Sequence, residues 1–132
     1  MRVYYLDEPL SDEDLSFVTE TFGLSRAPEQ VRIPHVLPLL DAAPVSEPEH
    51  RRHIELLRGH LRHAGIGVDR DQQVVFVAPR EMYWYQVLLL AIADETGMYP
   101  YLVQTEAQRR AIGNPGETRI LDTHGLMGLK EP

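Results

Sequence analysis

Apolar residues in this chain gather in short runs that are separated by polar, proline-bearing or glycine-bearing turns. Aromatic and β-branched runs predict strands at 2–7, 73–78 and 99–104, and the unbroken run at 73–78 is typical of a central strand covered on both faces. Two prolines limit another apolar segment to a short or edge strand at 31–33, and 118–122 is a candidate for the last strand. The pattern therefore predicts a sheet of short strands.

Helices are predicted between these strands. Apolar residues recur at helical spacing in three segments, 11–22, 48–64 and 81–96. Ser11 and Asp14 form a capping-box pattern at the start of the first segment, and Gly23 ends it. The middle of the third segment, VLLLAIA, is apolar all round, so we expect it to be buried. A fourth, short helix, TEAQRRAI, has Thr105 as its predicted cap.

Strands that alternate with helices favour βαβ units and a parallel sheet. We therefore expect one small Rossmann-like α/β domain over residues 1–132, with a mainly parallel sheet and with 108–132 as a C-terminal extension without an assigned role. In such sheets, ligands bind beyond the carboxyl ends of the strands. This rule selects the loops 7–11, 34–38, 79–85 and 105–109 as the candidate site.

Charge and residue content argue against several classes of partner. The chain has 13 Lys and Arg against 20 Asp and Glu, a formal net charge of −7, so we expect no binding of long nucleic acid. It has no cysteine, which excludes disulfides and thiolate metal sites. No apolar run reaches the roughly 18 residues of a membrane span, and the first residues lack the apolar segment of a secretory signal. We therefore expect no membrane partner and a cytoplasmic protein.

Common catalytic and cofactor motifs are missing from the sequence. No GxGxxG fingerprint follows a strand, and neither a Walker A loop nor a GxSxG elbow is present. The second predicted helix carries four histidines, His50, His53, His60 and His63, but one helix cannot turn all four toward one ion. We therefore predict no metal and no cofactor, and interpret these histidines as a solvated or partly buried basic helix face.

The segment PREMYWYQ, residues 79–86, carries the strongest signal for a ligand. Arg80 follows the central strand and precedes a helix whose N-terminal amides attract anions, so it is a candidate phosphate contact. Tyr83, Trp84 and the next residue, Tyr85, offer rings on which a base can stack. Packing in the core or in a dimer interface explains the same aromatics, and both interpretations stay open.

Polar residues also follow the strands at 2–7 and 99–104, at the same predicted edge. Ser11 lies at a strand-to-helix junction, where it either caps the helix or meets a ligand. Thr105 and Arg109 follow the strand at 99–104, and a capped surface helix is the alternative explanation for them. These residues join Arg80 as candidate ligand contacts.

The order of the elements, together with two segments, resembles a known family. PLSDEDLSFVTETFG, residues 9–23, is similar to the opening of small CRISPR-associated proteins with a Rossmann fold. VVFVAP and QVLLLAIADETGMYPYLVQT, within 74–105, resemble their strand, proline loop, buried helix and following strand. The resemblance covers roughly residues 1–107 and indicates the CARF-type sensors and accessory proteins of type III CRISPR systems.

This resemblance implies a homodimer with a two-fold pocket for a cyclic oligoadenylate, with cyclic tetra-adenylate as the first candidate. Because such a ring is symmetric and anionic, a two-fold dimer supplies each contact twice. Family members either hold the ring or cleave it without a metal, by aligning a ribose 2′-hydroxyl with the neighbouring phosphate. The residues in suitable loops of this chain are Arg80, Arg109, Ser11 and His35.

Three functions follow from these observations. The first is sequestration of the ring, which damps antiviral signalling. The second is a metal-independent ring nuclease acting on the same ligand. The third is a protein-interaction module without a nucleotide ligand, in which the aromatics form a subunit interface. Substitution of Arg80 distinguishes the first two functions from the third.

Overall fold

The computed structural model of the chain describes residues 1–33, 46–63, 73–93 and 99–122. In these ranges strands and helices alternate, as the sequence pattern predicts. The strands are β1 (Arg2–Tyr5), β2 (Glu29–Arg32), β3 (Gln73–Val77), β4 (Tyr99–Gln104) and β5 (Arg119–Asp122). The helices are α1 (Asp12–Thr21), α2 (Glu47–His63), α3 (Met82–Ala93) and α4 (Glu106–Ala111).

The five strands form one sheet in the order β2-β1-β3-β4-β5. β1 pairs in parallel with β2 and β3, and β3 pairs in parallel with β4, with Val75 opposite Tyr101. β5 runs antiparallel to β4 at one edge, with Ile120 opposite Val103, while β2 forms the other edge. The described residues therefore form a small α/β fold with a mostly parallel sheet, which is compatible with a Rossmann-like architecture.

Alternation along β3 divides the core between the two faces of the sheet. Val74 and Phe76 pack with residues of α2 and α3, whereas Val75 and Val77 pack with residues of α1. All four side chains are buried, which confirms that this run is a central strand covered on both faces. The placement of α1 on one face and of α2 and α3 on the other agrees with right-handed crossovers, because the chain moves outward to β2 and then back to β3.

α1 begins and ends where its sequence predicts. The hydroxyl oxygen of Ser11, the N-cap, accepts a hydrogen bond from the backbone N–H of Asp14. At the other end Gly23 has φ of 61°, a left-handed conformation that glycine adopts without strain. The N–H of Leu24 then donates to the carbonyl of Thr19, which closes the last turn.

The third helix differs from its prediction in one respect. Val87, Leu88 and Ala91 are buried, but Met82 and Leu90 expose 47% and 45% of their surface. The expectation of burial all round is therefore wrong. α3 is an outer layer whose inner side meets the sheet and α2, so its outer side has no described element to cover it.

The segment after residue 107 contributes part of the sheet. The hydroxyl oxygen of Thr105, the N-cap of α4, accepts from the N–H of Gln108 at 3.1 Å. β5 then pairs with β4 over its four residues. Much of the predicted C-terminal extension thus completes the fold. The candidate loop 34–38 and the segment 123–132 lie outside the described residues.

Candidate ligand-binding edge

The carboxyl ends of β1 and β3 lie at the point where the order of the sheet reverses. From β1 the chain crosses to β2 on one side, whereas from β3 it continues to β4 on the other. The loops that leave these two strands therefore diverge and leave a crevice, which is where sheets of this order bind ligands. We call this side of the molecule the carboxyl edge; it comprises the carboxyl ends of β1, β3 and β4 and the helix starts that follow them.

Arg80 lies at this crevice with its charge compensated. Its guanidinium forms an ion pair with Glu8, and its backbone N–H donates to the carboxylate of Asp7 at 3.1 Å. These contacts tie the loop after β3 to the loop after β1. The Arg80 side chain is 46% exposed and that of Glu8 is 63% exposed. An ion pair this exposed contributes at most about 1 kcal/mol, so another anion can displace Glu8.

The loop after β1 is also held by a side chain from the neighbouring strand. Gln30 in β2 accepts a hydrogen bond from the N–H of Leu10 at 2.7 Å and donates to the carbonyl of the same residue at 3.2 Å. This two-way contact fixes the backbone immediately before Ser11. The sequence does not indicate this role of Gln30, because a polar residue in an edge strand is ordinarily solvent-exposed.

A groove of about 730 Å³ lies between the starts of α1 and α4 on the carboxyl edge. Three hydroxyl-bearing residues, Ser11, Thr105 and Thr118, line it together with Phe17. Its charged lining consists of five carboxylates and one guanidinium: Glu8, Glu13, Asp14, Glu106, Glu117 and Arg110. The described lining is therefore net acidic, and an anionic group placed here needs direct contact with an arginine.

The hydroxyls in the groove already stabilise backbone groups. Ser11 and Thr105 accept from N–H groups of their own helices, and Thr118 accepts from the N–H of Glu106 at 3.2 Å. Because a hydroxyl keeps its own proton for donation, each can still donate to a ligand. Capping is thus established for Ser11 and Thr105, and their contact with a ligand stays a prediction.

Of the two consecutive arginines on α4, Arg110 lines the groove and Arg109 does not. The Arg109 guanidinium donates to the carbonyl of Glu117 at 2.6 Å and lies so close to Gly116 that a Cβ there would collide with it. Arg109 therefore holds the turn between α4 and β5. Successive helix residues point about 100° apart, and the sequence did not reveal which side of α4 faces the groove.

The three consecutive aromatics of α3 point in different directions. Trp84 is 3% exposed and packs beside the ring of His53, so its indole offers no free face to a base. Tyr85 is also buried, and its hydroxyl accepts from Nε2 of Gln104 at 2.9 Å. Tyr83 is half-buried and directs its hydroxyl toward α2. Core packing accounts for Trp84 and Tyr85, which leaves Tyr83 as the aromatic with accessible surface.

Tyr83 contacts two histidines of α2. Its hydroxyl oxygen is 2.7 Å from Nδ1 of His53 and 3.3 Å from Nδ1 of His50. Burial lowers the pKa of His53 below its ordinary 6.5, and the nearby charge of Arg52 acts in the same direction. Burial raises the pKa of Tyr83, and the carboxylate of Glu49 adds to this. The spacing of the histidines along the sequence predicts a basic helix face and does not indicate this cluster with Tyr83.

The remaining candidate residue, His35, lies outside the described residues. Within the described ranges, no three His, Asp or Glu side chains are grouped so that they could hold a metal ion. Likewise, none of the helices there combines the length and the apolar character that crossing a membrane requires.

Comparison with known proteins gives no match: no protein-family model, no curated protein and no solved structure matches this chain.

Proposed function

We propose that this protein binds a cyclic oligoadenylate at the carboxyl edge and, by holding it, damps type III CRISPR signalling. Cyclic tetra-adenylate is the first candidate ligand. The observation that carries the proposal is the position of Arg80, an exposed guanidinium at the crevice between β1 and β3. The resemblance of 9–23 and 74–105 to CARF-type proteins supports the same ligand class.

Binding of the ring requires an exchange of partners at Arg80. A phosphate accepts two parallel hydrogen bonds from a guanidinium, and such charge-assisted bonds contribute about 1.5–3 kcal/mol each. The exposed pair with Glu8 contributes less than this. Phosphate therefore replaces the Glu8 carboxylate at Arg80, and the freed carboxylate turns toward solvent.

The acidic lining suits the nucleoside part of such a ligand. Adenine presents an amino group and ribose presents a 2′-hydroxyl, and both donate hydrogen bonds to carboxylates. Glu13 and Glu106 on the groove are candidate acceptors, while Arg110 is a second candidate for a phosphate. The groove thus offers carboxylates to the hydrogen-bond donors of the nucleoside and an arginine to a phosphate.

A two-fold homodimer is part of the proposal. A cyclic tetra-adenylate is itself symmetric, so two copies of the carboxyl edge facing one another supply Arg80 and Arg110 twice to one ring. Four guanidiniums would then face four phosphates. This arrangement offsets the net charge of −7 that each chain carries.

Isothermal titration of the full chain with cyclic tetra-adenylate tests the proposal. We expect binding with one ring per two chains, and Arg80→Ala should weaken it by about 10- to 100-fold, because a charge-assisted contact is lost. Arg2→Ala is the matched control, since Arg2 also forms an exposed ion pair, with Glu29, but lies at the start of β1 on the opposite edge.

Three outcomes would refute the proposal. Absence of binding at micromolar concentrations would show that the protein does not bind this class of ligand. If Arg80→Ala and Arg2→Ala bound the ring with equal affinity, the carboxyl edge would not be the binding site. If multi-angle light scattering showed a monomer both with and without the ring, the protein would not form a two-fold pocket.

A further inference from the structure

Two helices bring a polar cluster to the carboxyl edge on the face opposite α1. α3 follows β3, so it begins at this edge, and α2 runs back toward the start of β3, so it begins there too. The contact between Tyr83, near the start of α3, and His50, near the start of α2, agrees with this topology. Tyr83 is three residues from Arg80, a separation that spans at most about 11 Å. The cluster therefore lies beside the crevice.

Hydrogen bonding within the cluster constrains the tautomers of both imidazoles. The tyrosine hydroxyl has one proton, so with neutral rings it donates to one histidine and accepts from the other. The 2.7 Å contact with His53 is the shorter and stronger one, and the 3.3 Å contact with His50 is longer and weaker. The assignment that fits both distances has Tyr83 donating to Nδ1 of His53 and Nδ1–H of His50 donating to Tyr83.

This assignment leaves His50 with an unprotonated Nε2. When Nδ1 carries the proton of a neutral imidazole, Nε2 holds the lone pair that accepts a proton from a substrate. His50 is half-buried, whereas His53 is 4% exposed, so His50 is the member of the pair that a ligand reaches. The half-buried Tyr83, itself held by the buried His53, fixes the orientation of the His50 ring.

We infer that His50 is the general base of a ring-cleaving reaction, with Tyr83 and His53 as the residues that position it. The inference rests on the proposed binding of a cyclic oligoadenylate. Nε2 of His50 accepts the proton of a ribose 2′-hydroxyl while the 2′-oxygen forms a bond to the adjacent phosphorus. The P–O5′ bond breaks, the departing 5′-oxygen takes a proton from water, and His50 returns its proton to solvent. The products are a 2′,3′-cyclic phosphate and a 5′-hydroxyl on one linear chain.

The surroundings of His53 support its positioning role. On α2 the titratable or charged neighbours of His53 are Arg52, Glu49 and His50, and α3 contributes the Tyr83 hydroxyl. Because burial lowers its pKa, His53 stays neutral and continues to accept from Tyr83. A cationic His53 would instead need a proton on Nδ1, which would reverse the hydrogen bond to Tyr83.

Chromatography and mass spectrometry of cyclic tetra-adenylate incubated with excess protein in EDTA test the inference. We expect the wild type to produce the linear form with a cyclic phosphate end. His50→Gln should slow this cleavage by about 100-fold or more, because a general base contributes at least that factor, while the dissociation constant stays within about threefold. His63→Gln is the matched control, since His63 is exposed at the far end of the same helix.

Tyr83→Phe tests the positioning role separately. It keeps the ring and removes the hydroxyl, so the single-turnover rate should fall several-fold while the dissociation constant changes little, both measured at a temperature where the variant is fully folded. A rate equal to that of the wild type would refute the role of Tyr83.

Failure of the inference and failure of the proposed function give different results. A ring that binds but remains intact, or that His50→Gln cleaves as fast as the wild type, overturns the role of His50 and leaves binding in place. A ring that does not bind overturns the proposed function, and this inference with it. Cleavage that His50→Gln loses and His63→Gln retains supports both.

Discussion

Gln104 joins three elements of the fold through one buried amide. It is 2% exposed; its Nε2 donates to the hydroxyl of Tyr85 in α3 at 2.9 Å, and its Oε1 accepts from Nε of Arg119 in β5 at 2.8 Å. Gln104→Leu removes both hydrogen bonds and keeps a side chain of similar size. We expect a clear loss of stability, because the Tyr85 hydroxyl then lies buried without its partner.

The expected free energies of unfolding follow from burial. A buried polar group without a partner costs about 1–3 kcal/mol, and the half-buried Arg119 recovers part of its loss from water, so Gln104→Leu should cost about 2 kcal/mol. Tyr85→Phe removes one neutral hydrogen bond and should cost about 1 kcal/mol. The double variant lacks both partners of the hydrogen bond between Gln104 and Tyr85, so neither partner is left buried alone. Its cost should therefore be about 1 kcal/mol less than the sum of the single costs.

Urea denaturation of the four proteins measures these quantities. Trp84 is the single tryptophan and lies in the core, so its fluorescence reports unfolding, and circular dichroism provides a second probe independent of substitutions beside it. Additive single costs, within about 0.3 kcal/mol, would show that Tyr85 and Gln104 are not coupled and would refute the assigned hydrogen bond.

Three further predictions concern single side chains. Glu8→Gln should tighten binding of cyclic tetra-adenylate about two- to fivefold in titration calorimetry, because the exposed carboxylate no longer competes for Arg80; unchanged or weaker binding contradicts the exchange. Because the pKa of His53 is lowered, the stability that this histidine contributes is complete above pH 6.5 and declines as the pH falls from 6.5 toward its folded-state pKa. The urea midpoint of His53→Gln should lack this decline, and profiles of the urea midpoint against pH that run parallel for the variant and the wild type would refute the prediction. Gln108 is fully buried, and within the described part of the chain neither polar atom of its side-chain amide has a hydrogen-bond partner. Gln108→Leu should therefore raise the free energy of unfolding by about 1 kcal/mol, whereas a loss of stability would show that the amide is hydrogen-bonded.

Much of the fold was predictable because its determinants are local. The caps at Ser11 and Thr105 depend on residues within three positions, and Gly23 supplies the left-handed conformation that ends α1. The central position of β3 follows from its unbroken apolar run. The exposure of the outer side of α3 was not predictable, since an apolar helix sequence does not reveal whether another element covers that side.

The candidate site was predictable as a set of loops and not as a set of contacts. The alternation of strands and helices in the sequence indicated the carboxyl edge. It did not indicate that Glu8 neutralises Arg80, that Arg110 rather than Arg109 lines the groove, or that Trp84 is buried. These depend on the direction in which each side chain points, which the packing of neighbouring elements determines.

The order and type of the elements follow from the amino-acid sequence, since periodicity, caps and turn residues act over a few positions. The polar contacts between distant segments, in contrast, depend on the tertiary fold. Asp7 and Arg80 are 73 residues apart and meet because β1 and β3 are neighbours in the sheet. His53 and Tyr83 are 30 residues apart and meet because α2 and α3 pack side by side on one face. Long-range contacts of this kind follow from strand order and helix packing, which no local pattern specifies.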